Sequence, residues 1–250
     1  MRFAAIADIH GNIDALDAVI ADIRSQRVGD IVNLGDFFSS PLEAGKTADR
    51  LMTLGFPSVR GNHDRYLLQN DRSKMHASDA VAFDQLSAQH LKWLSQIPSH
   101  LIWRDDIFLC HATPEDDETY WLHTVARDGL VCTRPLPEIE AFASGLQQSL
   151  ILCAHTHMPC AVRLSDGRLI VNPGSVGCPA YDSDQPFDHK VETGTPAASY
   201  AILEKVASDR TVAFRLVPYD TAAMVALARH RERSEWAEAL ATGWIKQSHP

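Results

Sequence analysis

A chain of 250 residues, 45% of them apolar, is long enough to bury a core of domain size, and its formal charge of −9 argues against a general nucleic-acid binder. Five cysteines, odd in number and without a Cys-x-x-Cys pair, argue against a disulfide framework or a thiolate zinc site. Met1-Arg2 leads straight into Phe3 to Ala7, too short a stretch for a signal peptide. No apolar run approaches membrane-spanning length, so the expected location is the cytoplasm, with no membrane contact.

Phe3 to Ala7 is short, fully apolar and stops at Asp8, the pattern of a central strand covered on both faces. Asn12 then caps a predicted helix whose apolar positions Ile13, Leu16, Val19, Ile20 and Ile23 keep helical spacing. Asp30 to Leu34 reads as a second strand, ending in Gly35-Asp36. Ser40-Pro41 predicts the cap and first turn of a helix running to about Leu54-Gly55. Phe56 to Val59 is a third predicted strand, ending in Gly61-Asn62-His63-Asp64. The order β-α-β-α-β implies parallel strands whose polar ends share one edge, where open α/β sheets bind their ligands.

Ser78 to Gln96 predicts one helix, stopped by Ile97-Pro98. A hairpin follows, about Leu101 to Trp103 and Ile107 to Cys110, turning at Arg104-Asp105-Asp106. Thr113 to Ser149 is the least regular part, opening with an acidic run and carrying a short helix near Pro137 to Phe142. Leu150 to Ala154 is again a strand, ending at His155-Thr156-His157. A second hairpin spans about Ala161 to Val171, and a polar loop runs from Tyr181 to Pro196. Two strands, Tyr200 to Glu204 and Val212 to Val217, precede one C-terminal helix over about 221–246, capped by Asp220. Nothing marks a domain boundary, so a single domain over 1–250 is expected, with loop insertions at about 113–149 and 178–198.

The strand ends carry the chemistry. Asp8-Ile9-His10, Gly35-Asp36, Asn62, His111 and His155-Thr156-His157 together offer two aspartates, an asparagine and four histidines, enough to hold two metal ions. Each piece alone is ordinary: an Asp-x-His is commonly a cap, and a Gly-Asp is commonly a turn. The weight lies in the set, because five of the twelve histidines fall at predicted strand ends. Imidazoles with oxygen ligands suit manganese, iron, nickel or zinc. Two such ions share a water, lower its pKa and clamp a phosphoryl group. His63 is the histidine left over, a proton donor for the leaving oxygen, and Asp64 beside it would orient or charge it. The remaining histidines, His76, His90, His100, His123, His189, His230 and His249, read as structural or solvated.

These blocks resemble the signature blocks of the calcineurin-like metallophosphoesterases, over residues 8 to about 205. The resemblance implies a four-layer α/β/β/α sandwich of two mixed sheets with flanking helices. It implies that Asp8, His10 and His157 hold one metal, that Asn62, His111 and His155 hold the other, that Asp36 bridges, and that His63 is the catalytic acid. His10-Gly11-Asn12, the Gly61 to Arg65 block and Asn172 to Gly177 resemble the small bacterial and archaeal phosphodiesterase-like branch. Protein phosphatases of the superfamily carry Glu where Asp64 stands. Ala154 and Cys110 depart from glycines common before the metal histidines; both are small.

The expected cofactors are therefore two divalent ions, manganese in vitro, and the expected activity is phosphodiester hydrolysis of a small, nucleotide-like substrate. A phosphomonoesterase on the same site, a non-catalytic scaffold of this fold, and an amide or urea hydrolase are the alternatives. Arg65 is the basic residue expected to meet substrate. The run Glu115 to Glu118 reads as a solvated face, or as a lid with Tyr120 and Trp121 stacking on an aromatic group.

Overall fold

The computed structural model describes residues 1–207 and 209–246; His249 lies outside them. Alternation of side chains along the strands decides the architecture. In β1 (Arg2–Ile6), Phe3 and Ala5 point one way, into a core shared with Ile107, Leu109, Leu150, Leu152, Leu169 and Val171. Ala4 and Ile6 point the other way, onto a cluster with Leu16, Val19, Ile20 and Ile23. These four come from α1 (Ile13–Ser25), where the Asn12 side chain accepts from the Ala15 amide at 3.2 Å.

β2 (Asp30–Asn33) lies parallel to β1. α2 (Ala44–Leu54) follows, ended by Gly55 in the left-handed conformation at φ 62°. The helix begins at Ala44, after the predicted Ser40-Pro41 start, because that segment is satisfied otherwise. The Ser40 hydroxyl accepts from the Leu42 amide, and Arg231 donates to the carbonyls of Pro41 and Leu42. The predicted third strand is a single parallel bridge, Asn33 to Ser58. Pro57 within it has no amide to donate, so the ladder cannot extend.

α3 (Asn62–Gln69) starts within the Gly61 to Asp64 block, a helix the strand pattern did not announce. The predicted helix over 78–96 is two, α4 (Ala77–Phe83) and α5 (Ala88–Ser95). Ser87 accepts from the His90 amide at 3.2 Å and so restarts the helix. The first hairpin forms as expected, from β3 (His100–Trp103) and β4 (Ile107–Cys110).

The two stretches expected as loops each hold a hairpin. β5 (His123–Val125) pairs with β6 (Val131–Thr133) ahead of α6 (Leu136–Phe142). Asp128-Gly129, with Gly129 at φ 83°, is the turn that makes the first of them. β7 (Leu150–Leu152), β8 (Cys160–Arg163) and β9 (Leu169–Asn172) follow. β10 (Ala180–Ser183) and β11 (His189–Glu192) form the second unexpected hairpin.

β12 (Ala198–Val206) and β13 (Asp209–Val217) complete a sheet of order β13-β12-β1-β2; the second sheet runs β3-β4-β7-β9-β8. Both sheets are mixed: β1 and β2 are parallel in one, β4, β7 and β9 in the other. Outside the second sheet, Phe108, Ile151 and Ile170 pack against Trp121 and Ile139. The layers are therefore helices, sheet, sheet, and α6 with its neighbouring segment. The C-terminal helix is also two, α7 (Ala222–His230) and α8 (Ser234–Thr242), broken where Glu232 adopts φ 57°. No helix among the described residues is long and apolar enough to cross a membrane.

Candidate metal centre

The carboxyl ends of β1 and β2 meet those of β4 and β7 along one edge. Asp8, His10, Asp36, His155 and His157 all hold positive φ, between 48° and 69°. Left-handed backbone is uncommon outside glycine, and five such residues side by side mark strain concentrated at one place. Here it turns each side chain back over the strand ends. Close backbone approach finishes the job: Gly61 packs so near Asp36 that a Cβ would sit 2.1 Å from its Oδ1. Any side chain at position 61 would displace that carboxylate.

The side chains form two clusters, Asp8 with His10 and His157, and Asp36 with His111 and His155. Asn62 opens α3 beside them, 5% exposed. His10 Nδ1 lies 2.8 Å from the Ser39 carbonyl, and His157 Nδ1 lies 2.8 Å from that of Cys178. A carbonyl only accepts, so both Nδ1 atoms carry the proton, and each neutral ring turns a lone pair out at Nε2. Those two Nε2 atoms face each other at 3.2 Å. Burial first of all keeps His10 neutral, moving it down to about 4, and it likewise holds His157 well below its usual value. Two lone pairs confronted at that distance repel unless a cation lies between or beside them.

The second cluster is built from the same groups but differs in charge. His111 Nδ1 donates to the Leu34 carbonyl at 2.7 Å, leaving Nε2 3.3 Å from Asp36 Oδ2 with no hydrogen bond made. His155 donates through Nε2 to the Glu118 carbonyl at 2.8 Å, so its free lone pair is on Nδ1. Burial moves His155 down to about 3. Asp36 Oδ2 is also 3.9 Å from His10 Nε2, which sets one carboxylate oxygen between the clusters. Burial opposes charge on His111, yet Asp36 raises it to about 10. Although burial alone would raise Asp36, the charges of His111 and His63 hold it well below the usual carboxylate range. A cation at His111 Nε2 would take the place of the proton there.

Both oxygens of Asp8, the Asn62 side-chain oxygen and His111 Nε2 are buried without a hydrogen-bond partner. Orphaned polar atoms of this kind cost free energy that a divalent cation recovers, by binding the oxygens and replacing the His111 Nε2 proton. A hard oxygen and imidazole donor set, with Nδ1 protons fixed by backbone carbonyls, fits two divalent ions.

His63 stands beside this set, its ring centroid 5.6 Å from that of His10. Its partner is Asp79 of α4, which was not foreseen: His63 Nδ1 donates to Asp79 Oδ1 at 2.7 Å. Burial opposes charge on His63, yet Asp36, the Asp79 bond and Asp64 raise it to about 9. Asp64, expected to orient or charge His63, adds to its charge but spends its hydrogen bonds elsewhere. Its carboxylate accepts from the amides of Asp36 at 2.8 Å, Phe37 at 3.1 Å and Gly61 at 3.0 Å. It clamps the two loops that carry Asp36 and Asn62, from its place as residue three of α3.

Arg65, expected to meet substrate, is committed to the acidic run. It donates to both oxygens of Asp117, at 2.8 and 2.7 Å, and to Glu118 at 2.7 Å. The run is therefore neither free lid nor bare solvated face; it is tied down, and Glu118 lends the carbonyl that orients His155. Trp121, expected as a stacking surface, is 1% exposed and donates to the Ile139 carbonyl from the core. Tyr120 does reach the cavity. His189 donates its Nδ1 proton to the Phe187 carbonyl, so its Nε2 accepts from the Tyr120 hydroxyl at 3.0 Å, and Tyr181 in turn donates to Tyr120. That chain fastens the 178–198 hairpin to the acidic segment.

A cavity of about 500 Å³ opens over the centre, walled by Tyr66, Tyr120, Tyr181, Arg233 and Trp236 among others. His76, read as structural or solvated, also reaches its wall. Arg233 and Trp236 had no signal in the sequence, because the helix break that delivers them was not legible. Asp79 was equally silent, since nothing near it in sequence hints at His63.

Residues 1–189 match the model of the calcineurin-like phosphoesterase superfamily domain. The chain is similar to an uncharacterised protein of Methanocaldococcus jannaschii, 27% identical over 241 residues and 87% of each chain. It is also similar to the crystal structure of a metallophosphoesterase from Sphaerobacter thermophilus. That similarity has a TM-score of 0.72 and 28% identity, and it covers 98% of this chain and 100% of the other.

Proposed function

Because the chain belongs to the calcineurin-like phosphoesterase superfamily, we propose that it is a dinuclear-metal enzyme hydrolysing phosphodiesters. The observation that carries the reading is the pair of lone-pair nitrogens, His10 Nε2 and His157 Nε2, 3.2 Å apart beside a second cluster around Asp36. Asp8, His10 and His157 would hold one ion, Asn62, His111 and His155 the other, and Asp36 both. Two divalent ions bound there supply an activated water and neutralise charge on the phosphoryl group.

The chain's own groups do the rest. His63, protonated and held by Asp79, gives its proton to the departing oxygen. Asp64 acts as a positioning residue, keeping the Gly35-Asp36 and Gly61-Asn62 loops in contact. The preference for diesters rests on charge. Beyond the metal-binding residues the cavity is lined by Glu118, Asp182, Asp184 and Glu235, against Arg233. Glu235 binds Arg233 and Glu118 binds Arg65, so the rim carboxylates outside any ion pair among the described residues are Asp182 and Asp184. A monoester carries nearly two charges at neutral pH where a diester carries one, so this rim disfavours the monoester. The filled set of ligands and the His63–Asp79 pair favour an enzyme over a scaffold.

The test is hydrolysis of bis-p-nitrophenyl phosphate with Mn²⁺ against the chelated protein, with p-nitrophenyl phosphate and an anilide alongside. Metal-dependent turnover of the diester supports the reading. Turnover of the monoester or the amide alone contradicts it.

A further inference from the structure

The family match ends at residue 189, yet part of the cavity wall comes from beyond it, from the turn into α8. The Glu232 break points Arg233, Glu235 and Trp236 at the cavity. Arg233 is pinned there, donating to Glu235 and, at 3.1 Å, to the Ser78 hydroxyl, next to the aspartate that holds His63. Trp236 packs partly on the cluster of Leu42, Met224 and Leu240, and its ring centroid stands 6.0 Å from that of His10. The indole thus borders the reaction centre on one side and is backed by packed side chains on the other. Tyr66 and Tyr181 wall the same cavity.

The volume exceeds what a phosphoryl group needs, so the wall meets an arm of the substrate that does not react. Two arms are conceivable, a second phosphate or an uncharged ring. The acidic rim decides between them. Asp182 and Asp184, outside any ion pair among the described residues, repel a second phosphate, whereas carboxylates with Ser183 and Gln185 accept from or donate to the edge of a heterocycle. A flat aromatic surface gains most from stacking on indole and phenol faces.

We infer that α8 forms a recognition wall for a nucleoside arm of the diester, with Trp236 as the stacking, specificity-determining residue. This rests on the phosphodiesterase reading above. The test compares two diesters with the same leaving group and the same charge, thymidine 5′-(p-nitrophenyl phosphate) and methyl p-nitrophenyl phosphate. The wild type should prefer the nucleoside ester. Trp236→Ala should lower the ratio of the two kcat/KM values about 10-fold or more, mainly through KM, and Trp236→Phe should keep most of it. An equal loss on both esters, or an unchanged ratio, overturns the inference. Calorimetric binding of the methyl ester of thymidine 5′-monophosphate gives the same comparison without turnover. A Kd raised about 10-fold in Trp236→Ala supports the wall even if neither ester is hydrolysed, which would sink only the diesterase reading. An unchanged Kd, or no binding by the wild type, overturns the wall.

Discussion

Replacing Asp79 with Asn separates the charge behind His63 from its orientation. Asp79 is fully buried, with one oxygen on His63 Nδ1 at 2.7 Å and the other without a partner. An amide oxygen still accepts from Nδ1, so the ring keeps its place while the negative charge is lost. An opposite charge at this range raises an imidazole by about 1–3 units. His63, raised to about 9, should therefore titrate that much lower in Asp79→Asn. The sign follows from the role: a general acid must be protonated, so activity falls as pH rises through its pKa, and the variant's alkaline limb moves to lower pH. Bound cations depress both enzymes alike, so the displacement between profiles is the readout. The profiles are taken as kcat against pH on a dinucleotide, whose alkoxide leaving group needs a proton. An alkaline limb that stays put, with metal content unchanged, would refute the idea that Asp79 holds the acid protonated.

Removing the acid outright, in His63→Ala, should cost about 10²–10⁴-fold on the dinucleotide and much less on a nitrophenyl diester, with metal retained. Comparable losses on both count against proton donation. The acidic rim predicts a higher kcat/KM for bis-p-nitrophenyl phosphate than for the monoester at low salt, with the gap narrowing as salt screens the repulsion. A monoester preferred at every ionic strength sinks that argument. Leu150→Ala, which removes a fully buried side chain between the two sheets, should destabilise by about 2–5 kcal/mol in denaturant unfolding. A loss below about 1 kcal/mol would mean that this layer is not the packed core.

Polar residues ending apolar runs located the candidate metal centre in the sequence because backbone geometry brings them together: parallel strands share a carboxyl edge. Asp8, Asp36, His111 and His157 follow from that rule alone. Tertiary events hid the rest. Asp79 reaches His63 through the packing of α4 on α3, and Arg233 arrives through a helix break at Glu232 that looks like uninterrupted helix. The effect of Asp64 on the charge of His63 was legible from adjacency, whereas its bonds to the Asp36, Phe37 and Gly61 amides were not, because they depend on how α3 packs on the preceding loop. The two hairpins read as loops for different reasons: His123–Val125 and Val131–Thr133 are only three residues each, too short to show alternation, while Ala180–Ser183 and His189–Glu192 carry few apolar residues. Asp128-Gly129 was a turn signal that could have marked the first of them.

The two-ion centre is tested most directly by titrating the chelated protein with Mn²⁺ while following bis-p-nitrophenyl phosphate hydrolysis. Activity should be absent at the start and should saturate at two equivalents per chain. With Asp36→Asn, whose amide offers a single oxygen for bridging, saturation should demand a large excess of metal. Full activity in the chelated wild type, or saturation at one equivalent, would contradict the account.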